Sequence, residues 1–221
     1  MSHFTKDFTQ FFKDLEKNNN KEWFDNNRKR YETAVKKPLY NFVDEMIGRI
    51  NAVDLDVQIQ AKDAVTRINR DIRFSADKTP YNTHMGAVIS SAGRKDKSVP
   101  GVFLRLDASY IHVFGGAHGI STQQLAKVRS AIAEDPEHFM TLISESDFVK
   151  KFGEVKGEKS KRMPKAFADL AEKYPILMHK SFYYVGKIGG EYFTEDDLPE
   201  MIMEYWQTAK PVKDFLTKAL Q

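Results

Sequence analysis

The sequence predicts an α+β fold in which an antiparallel β-meander lies between N-terminal and C-terminal helices. Both ends of the chain carry apolar residues at the three- and four-residue spacing of amphipathic helices, whereas the middle alternates with a period of two. The alternating runs are joined by short turns, which leave no length for the helical crossovers that parallel strands need. Helices at both ends with strands between them are typical of α+β proteins.

Length and composition restrict the class of protein further. The 221 residues suffice for a full hydrophobic core, and no repeat or long linker divides them, so we predict a single α+β domain over residues 1–221. The net charge of +3 comes from 34 basic and 31 acidic residues, a balance that makes a nucleic-acid partner unlikely on charge alone. The absence of cysteine excludes disulfides and thiolate chemistry. Without an apolar signal core or membrane-length stretch, we expect a cytoplasmic protein with no membrane association.

Three helices are predicted in the N-terminal part of the chain. The apolar spacing over residues 4–15 predicts the first, and the asparagines of 18–20 end it because asparagine favours turns and caps. A second helix follows from about Lys21, and Pro38 interrupts or restarts it. A third apolar face then runs to about Asn51.

Four extended runs are predicted in the middle of the chain. The first covers residues 64–71, and the stretch 67–84 is predicted as a strand and turn central to the antiparallel sheet. The others cover residues 85–90, 99–106 and 110–114, and the last is closed by a glycine pair.

The C-terminal half returns to helices. Ser121 and Gln124 form a capping-box pattern, Asp135 and Pro136 begin another helix, and the last helix covers residues 199–220. Residues 174–184 fit a helix followed by a strand.

The densest charge cluster of the chain lies within nine residues: Arg70, Asp71, Arg73, Asp77 and Lys78. A strand cannot turn so many charges into a core without pairing them, because an unpaired buried charge costs several kcal/mol. One interpretation is a surface ion-pair ladder that staples the sheet. The other is a pocket in which arginine forks and a lysine bind phosphate or carboxylate. Regular alternation places Arg70 and Arg73 on opposite faces, so one of them is expected to be structural.

The leading functional hypothesis is a pocket for a small anionic ligand that bears phosphate or carboxylate. Its expected ligand-binding residues are Arg70, Asp71, Arg73, Asp77, Lys78 and Tyr81. The first alternative is a structural or protein-interaction module in which the cluster only staples the sheet. The second alternative is a nucleic-acid-binding module that uses the basic stretches 94–97 and 156–162. The sequence assigns no reaction and no oligomeric state.

Metal and cofactor motifs are weak. His84, His112 and His118 fit no standard zinc spacing. The glycine-rich run 115–119 lacks the lysine of a P-loop and the spacing of a dinucleotide fingerprint, and no Gly-x-Ser-x-Gly occurs. We therefore expect no cofactor and no metal site.

The charged stretch also carries a resemblance. Its pattern Arg70-Asp71-x-Arg73-Phe74-Ser75-x-Asp77-Lys78-Thr79-Pro80-Tyr81 resembles the signature of an uncharacterised bacterial family of domains of unknown function. The pair Asn19-Asn20 with Glu22-Trp23-Phe24, and the triplet Phe114-Gly115-Gly116, are similar to that family's flanking motifs. The resemblance implies a compact α+β domain and no particular activity. His84 departs from the family's small polar residue, so no role is carried onto it.

Overall fold

The computed structural model describes residues 2–96 and 98–221. The N-terminal part is helical, as predicted, and its first helix buries Phe8, Phe11, Phe12 and Leu15 on one face. Asn20 accepts a hydrogen bond from the Trp23 amide and so begins the second helix. The helical segments of this part are α1 (Lys6–Lys17), α2 (Lys21–Asn26), α3 (Arg28–Arg30), a π-helical stretch (Tyr31–Lys36), α4 (Lys37–Asn51) and α5 (Ala61–Ala64).

Pro38 does not break the helix that contains it. It is the second residue of α4, directly after the π-helical stretch, and the helix continues through it. The chain from α3 to α4 is therefore one helical run with a widened turn inside it.

The sheet has four strands, all antiparallel, in the order β1–β2–β3–β4. The strands are β1 (His84–Ile89), β2 (Val102–Asp107), β3 (Tyr110–Ala117) and β4 (Phe182–Gly189). Asp107 closes the β2–β3 turn, because its Oδ1 accepts hydrogen bonds from the Ser109 and Tyr110 amides, both at 2.9 Å. The sheet is open, and β1 and β4 form its two edges.

The C-terminal helices separate β3 from β4 and then follow β4. They are α6 (Thr122–Glu134), α7 (Pro136–Ser144), α8 (Ser146–Phe152), α9 (Ala168–Lys173) and α10 (Leu198–Leu220), with short 3₁₀ turns between some of them. The predicted capping box is present at α6, where Ser121 and Gln124 bond each other's amides. The α+β class, the antiparallel meander and the flanking helices are confirmed.

The described residues form two hydrophobic cores. The first lies on one face of the sheet, and the second lies among the C-terminal helices at the end of the sheet where Ala117 of β3 pairs with Phe182 of β4. The first core joins α1, α4, the inward side chains of β1–β3 and the start of α10, including Phe8, Leu15, Leu104 and Trp206. The second core joins α6–α9, the start of β4 and the end of α10, including Phe139, Phe182 and Leu216.

The predicted strand over residues 64–71 is wrong. Residues Ala61–Ala64 form the short helix α5, and the chain that follows makes only isolated bridges, Val65 with Ala87 and Asn69 with Tyr81. The charged stretch is therefore not central to the sheet, because it lies outside the edge strand β1. Ala64, Val65 and Ile68 are buried in the first core, but neither face of the predicted strand is uniformly apolar, so no whole face of a strand could be buried.

Candidate functional site

The charged stretch forms an out-and-back loop, which we call the motif loop (residues 67–83). Its two arms are joined by backbone hydrogen bonds, Arg70 to Pro80 at 2.9 Å and Asn82 to Ile68 at 2.7 Å. The loop begins beside β1, where the Thr66 amide donates to the Gly86 carbonyl at 2.8 Å. The tip of the loop therefore extends away from the sheet edge.

Arg70 is the anchor of the loop tip. Its guanidinium donates to Asp77 Oδ2 at 2.5 Å and also to the Thr79 hydroxyl, and three-quarters of its side chain is buried. Asp77 accepts a further hydrogen bond from the Thr79 amide at 2.9 Å. The Thr79 amide, together with Arg70 and the Thr79 hydroxyl, lowers the pKa of Asp77 to about 2. The carboxylate therefore stays ionised and holds the two arms of the turn together.

Arg73 and Lys78 also have local partners. The guanidinium of Arg73 binds both oxygens of Asp71, at 2.9 and 2.7 Å, and 77% of the Arg73 side chain is exposed. This pairing holds the pKa of Asp71 below its usual range. Lys78 Nζ donates to the Ile72 carbonyl at 3.0 Å. The structure thus brings Arg70 together with Asp77, and Asp71 with Arg73, as two separate pairs.

Tyr81 closes the loop against the N-terminal helices. Its ring is buried and stacks on Phe24 with 4.0 Å between centroids and 17° between planes. The side chain of Asn19 clamps its backbone, donating to the Tyr81 carbonyl at 2.9 Å and accepting from the Tyr81 amide at 3.1 Å. Asn19 therefore fixes the loop while the neighbouring Asn20 caps α2, which gives both asparagines of the flanking motif a physical role.

A cleft of about 270 Å³ lies between the N-terminal helical run and the first arm of the motif loop. The loop contributes Arg67, Ile68 and Asn69 to its wall, whereas Arg70, Arg73 and Lys78 are not among its lining residues. Four basic side chains and one acidic side chain line it: Arg28, Lys36, Arg67, Arg94 and Glu32.

The basic residues of the cleft differ in how they are paired. Arg28 binds Asp25 at 2.6 Å and Lys36 binds Glu32 at 3.0 Å. Arg94 donates to the Val65 carbonyl at 3.0 Å, and no carboxylate among the described residues pairs with its positive charge. Arg67 makes no side-chain hydrogen bond or ion pair with any residue that the structure describes. The cleft therefore carries uncompensated positive charge.

The sequence did not single out the cleft residues. Lys36, Arg67 and Arg94 come from three segments that are distant in sequence, so no spacing pattern links them. Two features of the sequence pointed towards the cleft: Arg67 lies beside the charged cluster, and the stretch 94–97 is basic. That stretch was considered only for nucleic-acid binding, and its Lys97 lies outside the described residues.

The three histidines considered for metal binding separate into two places. His84 and His112 both lie near Asp107 on the outward face of the sheet, with His112 Nε2 3.2 Å from Asp107 Oδ2. His118 lies beyond them and packs edge-on against Tyr183. Within residues 2–96 and 98–221, no group of three or more histidine, aspartate and glutamate side chains is placed to hold a metal ion. No helix in the same residues has the length and hydropathy needed to cross a bilayer.

These features define an α+β protein with an open four-stranded antiparallel sheet and a basic cleft beside a charged loop. The chain belongs to the DUF2461 family of conserved hypothetical proteins, whose family model matches residues 7–215. No curated protein matches the chain. The expected membership of an uncharacterised family is therefore confirmed, and the family's description names no activity.

Proposed function

We propose that this protein binds a small anionic ligand, phosphate- or carboxylate-bearing, in the cleft between the N-terminal helices and the motif loop. The observation that carries the proposal is the excess of positive charge in that cleft, above all Arg67, whose guanidinium makes no hydrogen bond or ion pair with the described residues and interacts with the Asp71 carboxylate only at longer range. Arginine forks match the geometry of phosphate and carboxylate oxygens, so Arg67 and Arg94 are the expected contacts.

The shape of the cleft supports a small ligand. Its volume of about 270 Å³ is near the lower end of the range for small-molecule sites, which begins at roughly 300 Å³. The π-helical stretch supplies Tyr31, Glu32 and Lys36 to the wall, and π-helical turns in proteins occur frequently at functional sites. Burial of Tyr31 raises the pKa of its phenol, so the hydroxyl stays protonated, and it donates to Met85 Sδ at 3.8 Å in the wall of the cleft.

The charged cluster has a supporting role in this proposal. The pairs Arg70–Asp77 and Asp71–Arg73 fix the tip of the motif loop, and Asn19 and Phe24 fix its return arm at Tyr81. A rigid loop holds Arg67 and Asn69 against the cleft, which reduces the ordering cost that ligand binding must overcome.

Thermal melting of the full chain with inorganic phosphate, pyrophosphate and citrate tests the proposal. The ionic strength is held constant with chloride, because screening alone changes surface electrostatics. A ligand at 100 times its Kd stabilises a folded protein by about 2.7 kcal/mol, which corresponds to a rise of roughly 5–10 °C in Tm at this chain length. We expect this rise with at least one of the three anions, and its loss in Arg67→Gln.

Arg162→Gln is the matched control, because Arg162 is exposed and distant in sequence from the cleft residues. Its anion-induced rise in Tm should equal that of the wild type. Equal rises in wild type and Arg67→Gln, or no rise with any of the three anions, would contradict binding at this cleft.

The geometry also favours a second candidate, a structural or protein-interaction module in which the cluster staples the loop. The observation behind it is that Arg70, Arg73 and Lys78 each have a partner inside the motif loop. Under this alternative, the cluster stabilises the fold and no anion changes the melting temperature of the protein.

A further inference from the structure

The outer face of the sheet belongs to neither hydrophobic core. The inward side chains of β2 and β3, such as Leu104 and Val113, are buried in the first core, whereas the alternating outward side chains remain partly exposed. Phe103 and Phe114 are both partly exposed on this face and are absent from the first and second cores. The part of this face formed by β2, β3 and β4 is therefore partly open to solvent, whereas Val88 of β1 is buried.

The strand register places basic side chains in one row on this face. Gly86, Arg105, His112 and Lys187 are successive cross-strand neighbours on β1, β2, β3 and β4. Neighbouring strands lie about 4.8 Å apart, so Arg105 and Lys187 flank His112 from both sides.

Little within the protein neutralises this row. Arg105 forms only a long ion pair with Asp107, with 3.9 Å between Nε and Oδ2, and its buried Nε has no hydrogen-bond partner in the described residues. Lys187 Nζ lies 5.2 Å from the centre of the Tyr110 ring and has no carboxylate partner among the described residues. Asp107, the carboxylate next to the row, is already occupied by the Ser109 and Tyr110 amides and by His112.

Burial is the largest cause of the lowered pKa of both histidines on this face, and the neighbouring charges add smaller effects of both signs. Burial and the nearby Arg105 lower the pKa of His84 to about 4, although Asp107 acts in the opposite direction. Burial also lowers the pKa of His112, with Arg105 and Lys187 adding to the effect and Asp107 opposing it. A bound anion reverses this charge effect and favours the protonated imidazoles.

An aromatic row lies directly beside the basic row. Val88, Phe103, Phe114 and Val185 are the next cross-strand neighbours, two residues or about 7 Å further along the strands. The rings of Phe103 and Phe114 are nearly parallel, with 5.4 Å between their centroids. The Phe103 ring leans over Gly86, where a Cβ would lie 2.8 Å from its edge, so the aromatic surface reaches the basic row.

We propose that the outer face of the sheet is a second binding site, for a phosphate monoester of a planar ring compound. The phosphate lies over His112 between Arg105 and Lys187, and the ring lies on Phe103 and Phe114. Charge complementarity selects this ligand class, because the two cations match the −1.5 to −2 charge that a phosphate monoester carries at about neutral pH. The adjoining rings favour a ligand whose apolar part is flat and joined closely to the phosphate.

Titration of phenyl phosphate into the full chain, followed by the imidazole signals of His84 and His112 in NMR spectra, tests the proposal. The ionic strength is held constant with chloride. We expect both signals to shift saturably and the pKa of His112 to rise, while the signals of His3 and of His138 in α7 stay in place. Arg105→Gln should weaken binding about tenfold or more, because it removes a charged hydrogen-bond donor to the phosphate.

Two further variants separate the parts of the site. Phe114→Leu should weaken phenyl phosphate and leave the affinity for inorganic phosphate unchanged. Lys187→Gln should lower the affinity for both phenyl phosphate and inorganic phosphate. Because Lys187 is exposed, this variant tests the site if Arg105→Gln fails to fold. Arg162→Gln and Lys150→Gln, which replace exposed residues elsewhere, are the matched controls and should bind as the wild type does.

Three results would overturn the proposal. The first is the absence of saturable shifts at His84 and His112. The second is an unchanged affinity in a folded Arg105→Gln or Lys187→Gln variant. The third is tighter binding of a single-stranded oligouridine than of phenyl phosphate at the same two histidines, which would assign the face to a polynucleotide instead of a small monoester.

Discussion

The two arginines of the charged cluster contribute differently to the protein. Arg70 is three-quarters buried and joins Asp77 and Thr79 across the loop tip, whereas Arg73 is mostly exposed, binds the nearby Asp71 and lies over the exposed Phe74 ring. Exposed ion pairs contribute little to stability, typically about 0–1 kcal/mol, because both partners are solvated and screened. Bonds that close a turn from partly buried positions contribute more.

We therefore expect Arg70→Ala to lower the melting temperature by a few degrees and Arg73→Ala to leave it unchanged. Far-UV circular dichroism during heating, without added anion, gives both values. Arg162→Ala, on an exposed turn, serves as the control for simple loss of surface charge. Equal decreases in melting temperature in Arg70→Ala and Arg73→Ala would show that the two ion pairs stabilise the motif loop equally.

The elements were predictable where one side of the pattern is cleanly apolar. The alternation of Val102, Leu104 and Leu106 marks β2 because those side chains enter the first core, and the spacing of Phe8, Phe12 and Leu15 marks α1 for the same reason. The stretch 64–71 alternates without a uniformly apolar side, and after Ala64, the last residue of α5, it forms no strand and makes only isolated bridges. A two-residue alternation therefore does not predict a strand unless one of its faces is apolar enough to be buried.

The candidate sites were less predictable than the elements because each combines distant segments. Arg67 and Arg94 meet Lys36 only after the motif loop folds back against the N-terminal helical run. Arg105, His112 and Lys187 form one row only through the register of three strands, and β4 follows β3 after four helices. Residue spacing in the sequence predicts neither the cleft nor the basic row. The pairs Arg70–Asp77 and Asp71–Arg73, in contrast, are close in sequence because both lie in the motif loop.

The element that holds the motif loop in place is the turn between α1 and α2. Asn19 in this turn makes two hydrogen bonds to the backbone of Tyr81. We expect Asn19→Ala to destabilise the protein by about 1–3 kcal/mol, because it leaves two backbone groups of a buried residue without partners. Urea unfolding at fixed pH measures the decrease in the free energy of unfolding.

Asn18→Ala is the matched control for this change. Asn18 is exposed and its amide only caps the Asp14 carbonyl at 2.9 Å, so we expect a change within about 0.5 kcal/mol. A loss of the same size in Asn18→Ala and Asn19→Ala would show that the clamp on Tyr81 contributes no specific stability.

At the scale of the whole molecule, α10 connects the two hydrophobic cores. Its first half buries Ile202 and Trp206 in the first core, and its second half buries Val212 and Leu216 in the second core. The sheet makes the same connection, because Tyr184 of β4 lies in the second core while Ile188 of the same strand lies in the first. These shared elements support the expectation of one domain over residues 1–221.

One domain implies one cooperative transition, and the two tryptophans allow a test. Trp23 and Trp206 both contact the first core, so tryptophan fluorescence reports unfolding there, whereas far-UV circular dichroism reports the whole chain. Leu216→Ala removes a fully buried side chain from the second core and should cost about 2–5 kcal/mol. In a single domain, the fluorescence and dichroism midpoints in urea fall together. Leu15→Ala, the matched change in the first core, should give the same coincidence, whereas a fluorescence midpoint that stays in place in Leu216→Ala would show two independent units.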